Sequence, residues 1–291
     1  MEYPSSVAGL NEVLRGAGYL SDRGLSTALH VSLSLGRPLL LEGEVGVGKT
    51  EIAKTIAAVF GKQLIRLQCY EGIDTNQALY EWDYARQLLH IRALSEREAA
   101  DEASVDRLFG PRFLLERPLL AAIKAGSSAV LLIDEVDRAD DEFEAFLLEL
   151  LSDFQISIPE IGTIRATAPP AVILTSNRTR ELHDALKRRC MYHWIDYPAA
   201  AREVEIVLTR RPEVSEMLAG KVVAAVNRLR EMDLAKPPGV AETIDWARTL
   251  AFLGEDDLTE EAAMDSLGAV VKDRDDLDVV HRNLADVLGH A

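Results

Sequence analysis

Eight residues, Gly43-Glu44-Val45-Gly46-Val47-Gly48-Lys49-Thr50, restrict the fold of this chain more than any other stretch. They spell G-x-x-x-x-G-K-[ST], after the apolar run Leu39-Leu40-Leu41 and before the helical pattern Glu51-Ile52-Ala53-Lys54-Thr55-Ile56-Ala57. A buried strand that turns through glycines into a helix gathers backbone N–H groups into a nest, and the positive end of the helix adds to its field. Such a loop selects a polyphosphate. Glu44, Val45, Gly46, Val47, Gly48, Lys49, Thr50 and Glu51 are expected to wrap it. Lys49 would reach the β- and γ-phosphates and Thr50 would offer its hydroxyl to Mg²⁺. A glycine-rich surface turn before an ordinary helix accounts for the glycines, but not for strand, Lys and Thr together.

Two later apolar runs end in polar groups suited to that occupant. Ala129-Val130-Leu131-Leu132-Ile133 leads into Asp134-Glu135, as a central parallel strand does when it delivers carboxylates to the open edge of a sheet. Asp134 lies 85 residues beyond Lys49 (134 minus 49), which leaves room for the intervening units of an α/β fold. Its expected task is to hold Mg²⁺ on the far side from Thr50. Glu135, facing the opposite way at the strand end, can orient and deprotonate a water for attack on the γ-phosphate. The plainer account, that both acids cap the next helix, leaves the phosphate loop without its usual companions. Ala171-Val172-Ile173-Leu174-Thr175-Ser176 is a third buried strand. The Asn177 amide after it can sit beside the attacking water, or can cap a helix.

Arg180 to Arg189 reads as a short helix. Lys187, Arg188 and Arg189 in its last turn would complement the helix dipole. They suit equally an arginine offered to the nucleotide of a neighbouring subunit, and the trio alone does not choose.

At 291 residues the chain has room for two domains. Its net charge of −16 disfavours a nucleic-acid partner, whose sequence-independent affinity comes from Lys and Arg on phosphates. Cys69 and Cys190, far apart and in no metal-ligand spacing, read as buried free thiols in a reducing compartment. The N-terminal residues lack the pattern of a targeting peptide, and no apolar run approaches a membrane span, so a cytoplasmic location is expected.

Around these strands the pattern predicts an amphipathic helix within residues 7–34, a strand at 64–69, a helix at 142–151 and a hairpin at about 154–165. Met191 to Tyr197 reads as the last strand. Residues 70–107 are harder to read. Tyr70, Tyr80, Trp82 and Tyr84 cluster there in a chain of only 6% aromatic content; they either pack under a helix or meet a partner. Residues 95–107 read as a solvated helix or flexible insert. After Pro198 the patterns at 201–209, 217–232, 241–253, 260–271 and 277–288 are all helical. The expectation is an α/β nucleotide-binding domain over 1–198 and an all-helical lid domain over 199–291.

With these residues in hand, the chain resembles AAA+ ATPases, and within them the MoxR group, from about Leu20 to about Leu253. Gly43–Thr50 is similar to the Walker A motif, Leu131–Glu135 to Walker B and Asn177 to sensor 1. Ala185-Leu186-Lys187-Arg188-Arg189-Cys190 resembles the arginine-finger segment, with Arg189 aligning best and Arg188 as the fallback. Residues 154–165 resemble the pre-sensor hairpin, and about 70–92 the insert in helix 2. Cys69-Tyr70-Glu71-Gly72, Tyr80–Gln87, Phe143–Glu149 and Thr175–Glu181 look like signatures of the CoxD-like subgroup. One departure stands out: where relatives carry a sensor 2 arginine the aligned residue is Thr243, and the nearest arginine is Arg248.

The resemblance implies a P-loop AAA+ core, a central parallel sheet flanked by helices, with a small helical lid. It implies an ATPase that uses ATP and Mg²⁺ and assembles as a homo-oligomer, a hexamer. It implies a chaperone that matures a metalloenzyme client, of the molybdenum-containing carbon monoxide dehydrogenase type, together with a von Willebrand A domain partner. The alternatives are a nucleic-acid motor, a helicase or clamp-loader-like subunit, against which the charge argues, and a scaffold that binds nucleotide without turnover.

Overall fold

The computed structural model describes residues 3–93 and 107–289. A five-stranded sheet in the order β2-β5-β8-β1-β9 forms its centre, from β1 (Leu39–Gly43), β2 (Gln63–Gln68), β5 (Ala129–Asp134), β8 (Ala171–Ser176) and β9 (Met191–Ile195). The ladders β2–β5, β5–β8 and β8–β1 are parallel. Every residue of β1 and β5 is buried, whereas β2 at the sheet edge is mixed. Strands covered on both faces need near-continuous apolar sequence, and here they have it. Helices α3 (Lys49–Val59), α6 (Pro118–Ala125) and α7 (Asp141–Asp153) follow β1, β4 (Leu114–Glu116) and β5. Asp140 caps α7, its carboxylate accepting from Phe143 N–H at 2.9 Å.

Residues 7–34 hold two helices, α1 (Val7–Gly16) and α2 (Arg23–Leu35). Gly18 at φ 76°, in the left-handed region that glycine accepts without strain, turns the chain between them. Residues 70–93 hold α4 (Thr75–Leu79), the short β3 (Tyr80–Trp82) and α5 (Tyr84–Ala93). β3 pairs antiparallel with β4. The sequence pattern did not predict this ribbon, because three-residue strands carry too little periodicity. Trp82 is buried, with Phe109 edge-on at 5.4 Å, whereas Tyr70 and Tyr84 are exposed. Most of the insert expected at 95–107 lies outside the described residues. The hairpin β6 (Gln155–Ile158) and β7 (Gly162–Arg165) forms where expected.

The helices past Pro198 are α9 (Ala200–Arg210), α10 (Glu216–Glu231), α11 (Val240–Leu253), α12 (Glu260–Ser266), α13 (Arg274–Arg282) and α14 (Leu284–Leu288). The single helix expected at 277–288 is two, divided at Asn283. Contacts divide the chain into two compact units, the described parts of Met1–Leu10, Arg23–Glu42 and Thr50–His193 in one, and of Asn11–Asp22, Gly43–Lys49 and Trp194–Ala291 in the other. Each has its own core. In the first, Leu40, Leu131, Ile133, Leu174 and Phe143 are buried together. In the second, Val207, Val222, Val226, Trp246 and Leu250 are. Each such side chain contributes about 1.5–3 kcal/mol by leaving water. Trp246 also donates its indole N–H to Ser266 Oγ at 2.7 Å, so its polar atom is not stranded.

Candidate active site

In the unit that contains it, the loop Gly43–Lys49 is shaped by glycine. Gly43 has φ 151°, and a Cβ there would stand 2.2 Å from Ile195 O. Gly46 and Gly48 are at φ 78° and 93°. Glu44 and Val45 are exposed, Gly46, Val47 and Gly48 half-buried. The loop leans on the start of α11, where Gly46 O accepts from Ala241 N–H at 3.2 Å. A Cβ on Gly239 would meet Val45 O at 2.6 Å and Gly46 Cα at 2.8 Å. Lys49 is only 6% exposed, and its ammonium donates to Gly43 O at 2.7 Å and Glu44 O at 2.6 Å. A cation curled onto the loop carbonyls, beside glycines that free the backbone N–H groups, fits a phosphate chain.

Near the same helix start, Thr243 is buried and donates to Glu203 Oε1 at 2.6 Å. Arg230 of α10 pairs with both Glu203 oxygens at 2.7 Å and lies 4.2 Å over the Tyr197 ring. Thr243 thus offers a hydroxyl tied to a buried ion pair. Arg248 is exposed. Burial pushes the Tyr197 hydroxyl up, the carboxylates of Glu44, Glu242 and Glu203 add to the shift, and the Arg230 guanidinium opposes it.

In the other unit, Thr50 Oγ1 donates to Asp134 Oδ1 at 2.9 Å. Asp134, at the end of the buried β5, is 3% exposed. It also accepts from Thr175 Oγ1 at 2.5 Å and from Arg66 Nε at 3.1 Å and Nη2 at 2.5 Å. Parallel pairing of β5 with β2 and β8 delivers both partners. Among the described residues no three His, Cys, Asp or Glu side chains form a metal cluster. One carboxylate beside one hydroxyl suits Mg²⁺, which completes its shell with phosphate oxygens and water.

β5 stops at Asp134, so strand alternation does not aim Glu135. A left-handed backbone at φ 54° does, and Arg138 Nη1 lies 3.2 Å from its carboxylate. Glu135 N–H donates to Thr175 Oγ1 at 3.0 Å, which links the acid to the neighbouring strand. Asp137, buried, accepts from Asn177 N–H at 3.2 Å and from Thr179 N–H at 2.8 Å. Among the described residues the Asn177 side-chain amide has no hydrogen-bond partner. Glu51, in the first turn of α3, takes Lys54 Nζ at 3.2 Å.

The helix expected from Arg180 is shorter, α8 (Asp184–Arg189). Residues 180–183 are held to α7 instead: Arg180 pairs with the buried Glu144, which accepts from His183 N–H at 3.0 Å. Arg188 and Arg189 are exposed. No motif marks Arg66, Thr175 or Asp137 as a partner of these site residues. A charge inside the strand Leu64-Ile65-Arg66-Leu67, and an acid two residues past Glu135, were the signals available.

A family model, the AAA domain of the dynein-related subfamily, matches residues 38–190. An uncharacterized protein of Staphylococcus haemolyticus is 26% identical over 184 residues, 61% of this chain and 62% of that protein. Protein NorQ of Paracoccus denitrificans is 27% identical over 177 residues, 58% of this chain and 56% of its own. The chain therefore spans less than two thirds of the length of either relative. Among solved structures, a RuvB variant of Thermotoga maritima superposes with a TM-score of 0.50 at 16% identity, covering 98% of this chain and 81% of that one. At that identity the likeness is one of fold.

Proposed function

We propose, on the premise that this chain belongs to the AAA domain family (dynein-related subfamily), that it is a MoxR-type, Mg²⁺-dependent ATPase that acts as a ring of identical subunits and remodels a protein client. The observation that carries this reading is the 2.9 Å hydrogen bond from Thr50 to Asp134, at the residue that follows Lys49. It supports a hydroxyl and a carboxylate working on one ligand at the end of the phosphate loop.

In this reading residues 44–51 cradle the triphosphate, and Lys49 exchanges its loop carbonyls for phosphate oxygens. Mg²⁺, held by Thr50 and Asp134, would supply neutralising charge to those oxygens. Glu135 takes the proton of the attacking water, steadied by Arg138. The Asn177 amide orients that water or the γ-phosphate. Arg189, or Arg188 in its stead, serves the nucleotide of the next subunit, which is why a ring is proposed. The CoxD-like strings Tyr80–Gln87 and Phe143–Glu149 support a metalloenzyme client, a molybdenum hydroxylase of carbon monoxide dehydrogenase type, reached through a von Willebrand A domain protein.

Steady-state phosphate release tests the chemistry. The wild-type chain should release phosphate only with Mg²⁺. Glu135→Gln should bind ATP equally well and turn over about a hundredfold or more slowly. Absence of Mg²⁺-dependent release from the wild type would overturn the ATPase reading, and normal turnover in the variant would remove Glu135 from the base role. The same variant, immobilised with ATP, should retain the client.

A further inference from the structure

We propose that Arg37 is a positioning residue for the arginine finger, fixing the helix that carries Arg188 and Arg189 and tying it to the strand that enters the subunit's own phosphate loop. This rests on the reading of Arg189 or Arg188 as the finger. The Arg37 guanidinium donates to three successive backbone carbonyls at the end of α8: Arg188 O at 3.0 Å, Arg189 O at 3.3 and 3.2 Å, and Cys190 O at 3.3 Å.

A helix of six residues is too short to persist by its own hydrogen bonds, and its last carbonyls have no partner within it. The planar guanidinium supplies those partners from outside. It also brings a fourth cation to a turn that already holds Lys187, Arg188 and Arg189. Like charges repel, so the carbonyl grip holds the backbone while the charge turns the Arg188 and Arg189 side chains outward. Both are exposed, and among the described residues neither side chain has a hydrogen bond or ion pair. A finger for another subunit needs that freedom.

Arg37 is itself fixed. Its N–H donates to Ser32 O at 3.0 Å, and its carbonyl accepts from the buried Ser32 Oγ at 2.6 Å. The next residue, Pro38, accepts from Met191 N–H at 2.7 Å and leads directly into β1. One short stretch therefore sets both the entry of β1 and the end of the finger helix. A displacement of the strand moves the finger.

The test uses the full chain and phosphate release. Misplacing a catalytic group by an ångström costs up to about a hundredfold, so Arg37→Ala should lose about tenfold or more in turnover. Binding of a fluorescent ATP analogue should be unchanged. Arg37→Lys should recover only part, because an ammonium can meet these carbonyls but lacks the planar fork. Mixing Arg37→Ala with Lys49→Ala subunits, which keep Arg37 and an intact finger, should raise turnover per Arg37→Ala subunit. A purely structural role would leave the mixture no better than the variant alone, and that outcome overturns the proposal. So does full turnover in Arg37→Ala when Arg189→Ala or Arg188→Ala has lost it. Wild-type turnover in both Arg188→Ala and Arg189→Ala overturns the finger reading itself, whatever Arg37→Ala does.

Discussion

Thr50 and Asp134, 84 positions apart, share a hydrogen bond of 2.9 Å. The sheet makes the meeting possible. β1 and β5 both run parallel to β8, which lies between them, and both are buried along their length. Asp134 carries four donors on two oxygens, two of them from the Arg66 guanidinium. Its carboxylate is therefore oriented before any ligand arrives.

Asp134→Asn separates the metal role from the structural one. The amide keeps one acceptor for the threonine hydroxyls and loses the charge. Mg²⁺ should then support nucleotide binding at least about tenfold less well, because loss of even an outer partner of a metal's ligands costs about 10–100-fold. Binding of Mg²⁺-free ATP should hardly change. Fluorescent nucleotide titrations at graded Mg²⁺ check this. Asp134→Ala should in addition lower the melting temperature, because the buried Thr175 hydroxyl loses its acceptor, at a cost of about 1–3 kcal/mol, whereas the half-exposed Arg66 can turn to water.

Gly239→Ala tests the seat of the phosphate loop on α11. Its backbone would accept alanine, with φ −85°, but the new methyl would meet Val45 O at 2.6 Å and Gly46 Cα at 2.8 Å. Both are main-chain atoms, so the loop must move. Overpacking of this kind costs about 1–3 kcal/mol. A loop displaced from its seat should bind ATP about tenfold more weakly, measured by the same titration. Unchanged affinity would mean that the filled loop does not use this contact.

What the sequence made legible followed from strong local pattern. The three apolar runs ending at Gly43, Asp134 and Ser176 read as buried parallel strands because strands covered on both faces need such runs. Gly43–Thr50, Asp134, Glu135 and Asn177 were visible as motif residues. The supporting groups were not. Arg66 and Thr175 reach Asp134 only through strand register, and Asp137 grips residues 177–179 from forty positions away. Nothing local marks such partners. The β3–β4 ribbon was too short for its alternation to register, and the division at Asn283 fell inside a continuous amphipathic pattern. Thr243 was legible as a departure, but its tie to Glu203 and Arg230 was not.

That tie predicts a stability effect. Glu203 is fully buried, and Arg230 supplies its counter-charge through two hydrogen bonds of 2.7 Å. Arg230→Ala leaves the carboxylate uncompensated and should destabilise the chain by about 3–5 kcal/mol. Removing both charges, as in Glu203→Leu with Arg230→Leu, should cost much less, since no unpaired ion remains. Urea unfolding of the single and double variants measures the difference. Equal losses would show that packing against Tyr197, and not charge pairing, is what Arg230 contributes.

The two thiols give a pH dependence with a definite sign. Cys69 and Cys190 are buried, and burial pushes each up to about 12 from an ordinary value near 9.0. At Cys69 the carboxylates of Asp134, Asp137 and Glu135 add to the shift, whereas Arg37 opposes it at Cys190. A group whose folded value lies above its unfolded one contributes stability that is complete below the unfolded value and disappears as pH rises through the folded one. Stability should therefore fall from about pH 9 upward, and replacing both cysteines by alanine should flatten that part of the curve. Reactivity follows the same shift: at pH 8 the thiolate fraction is about one in ten thousand. An aromatic disulfide reagent should label the folded chain slowly and both cysteines promptly in denaturant. Prompt labelling of the folded chain would show that one thiol opens to solvent, and the alkaline loss of stability would then have to come from another group.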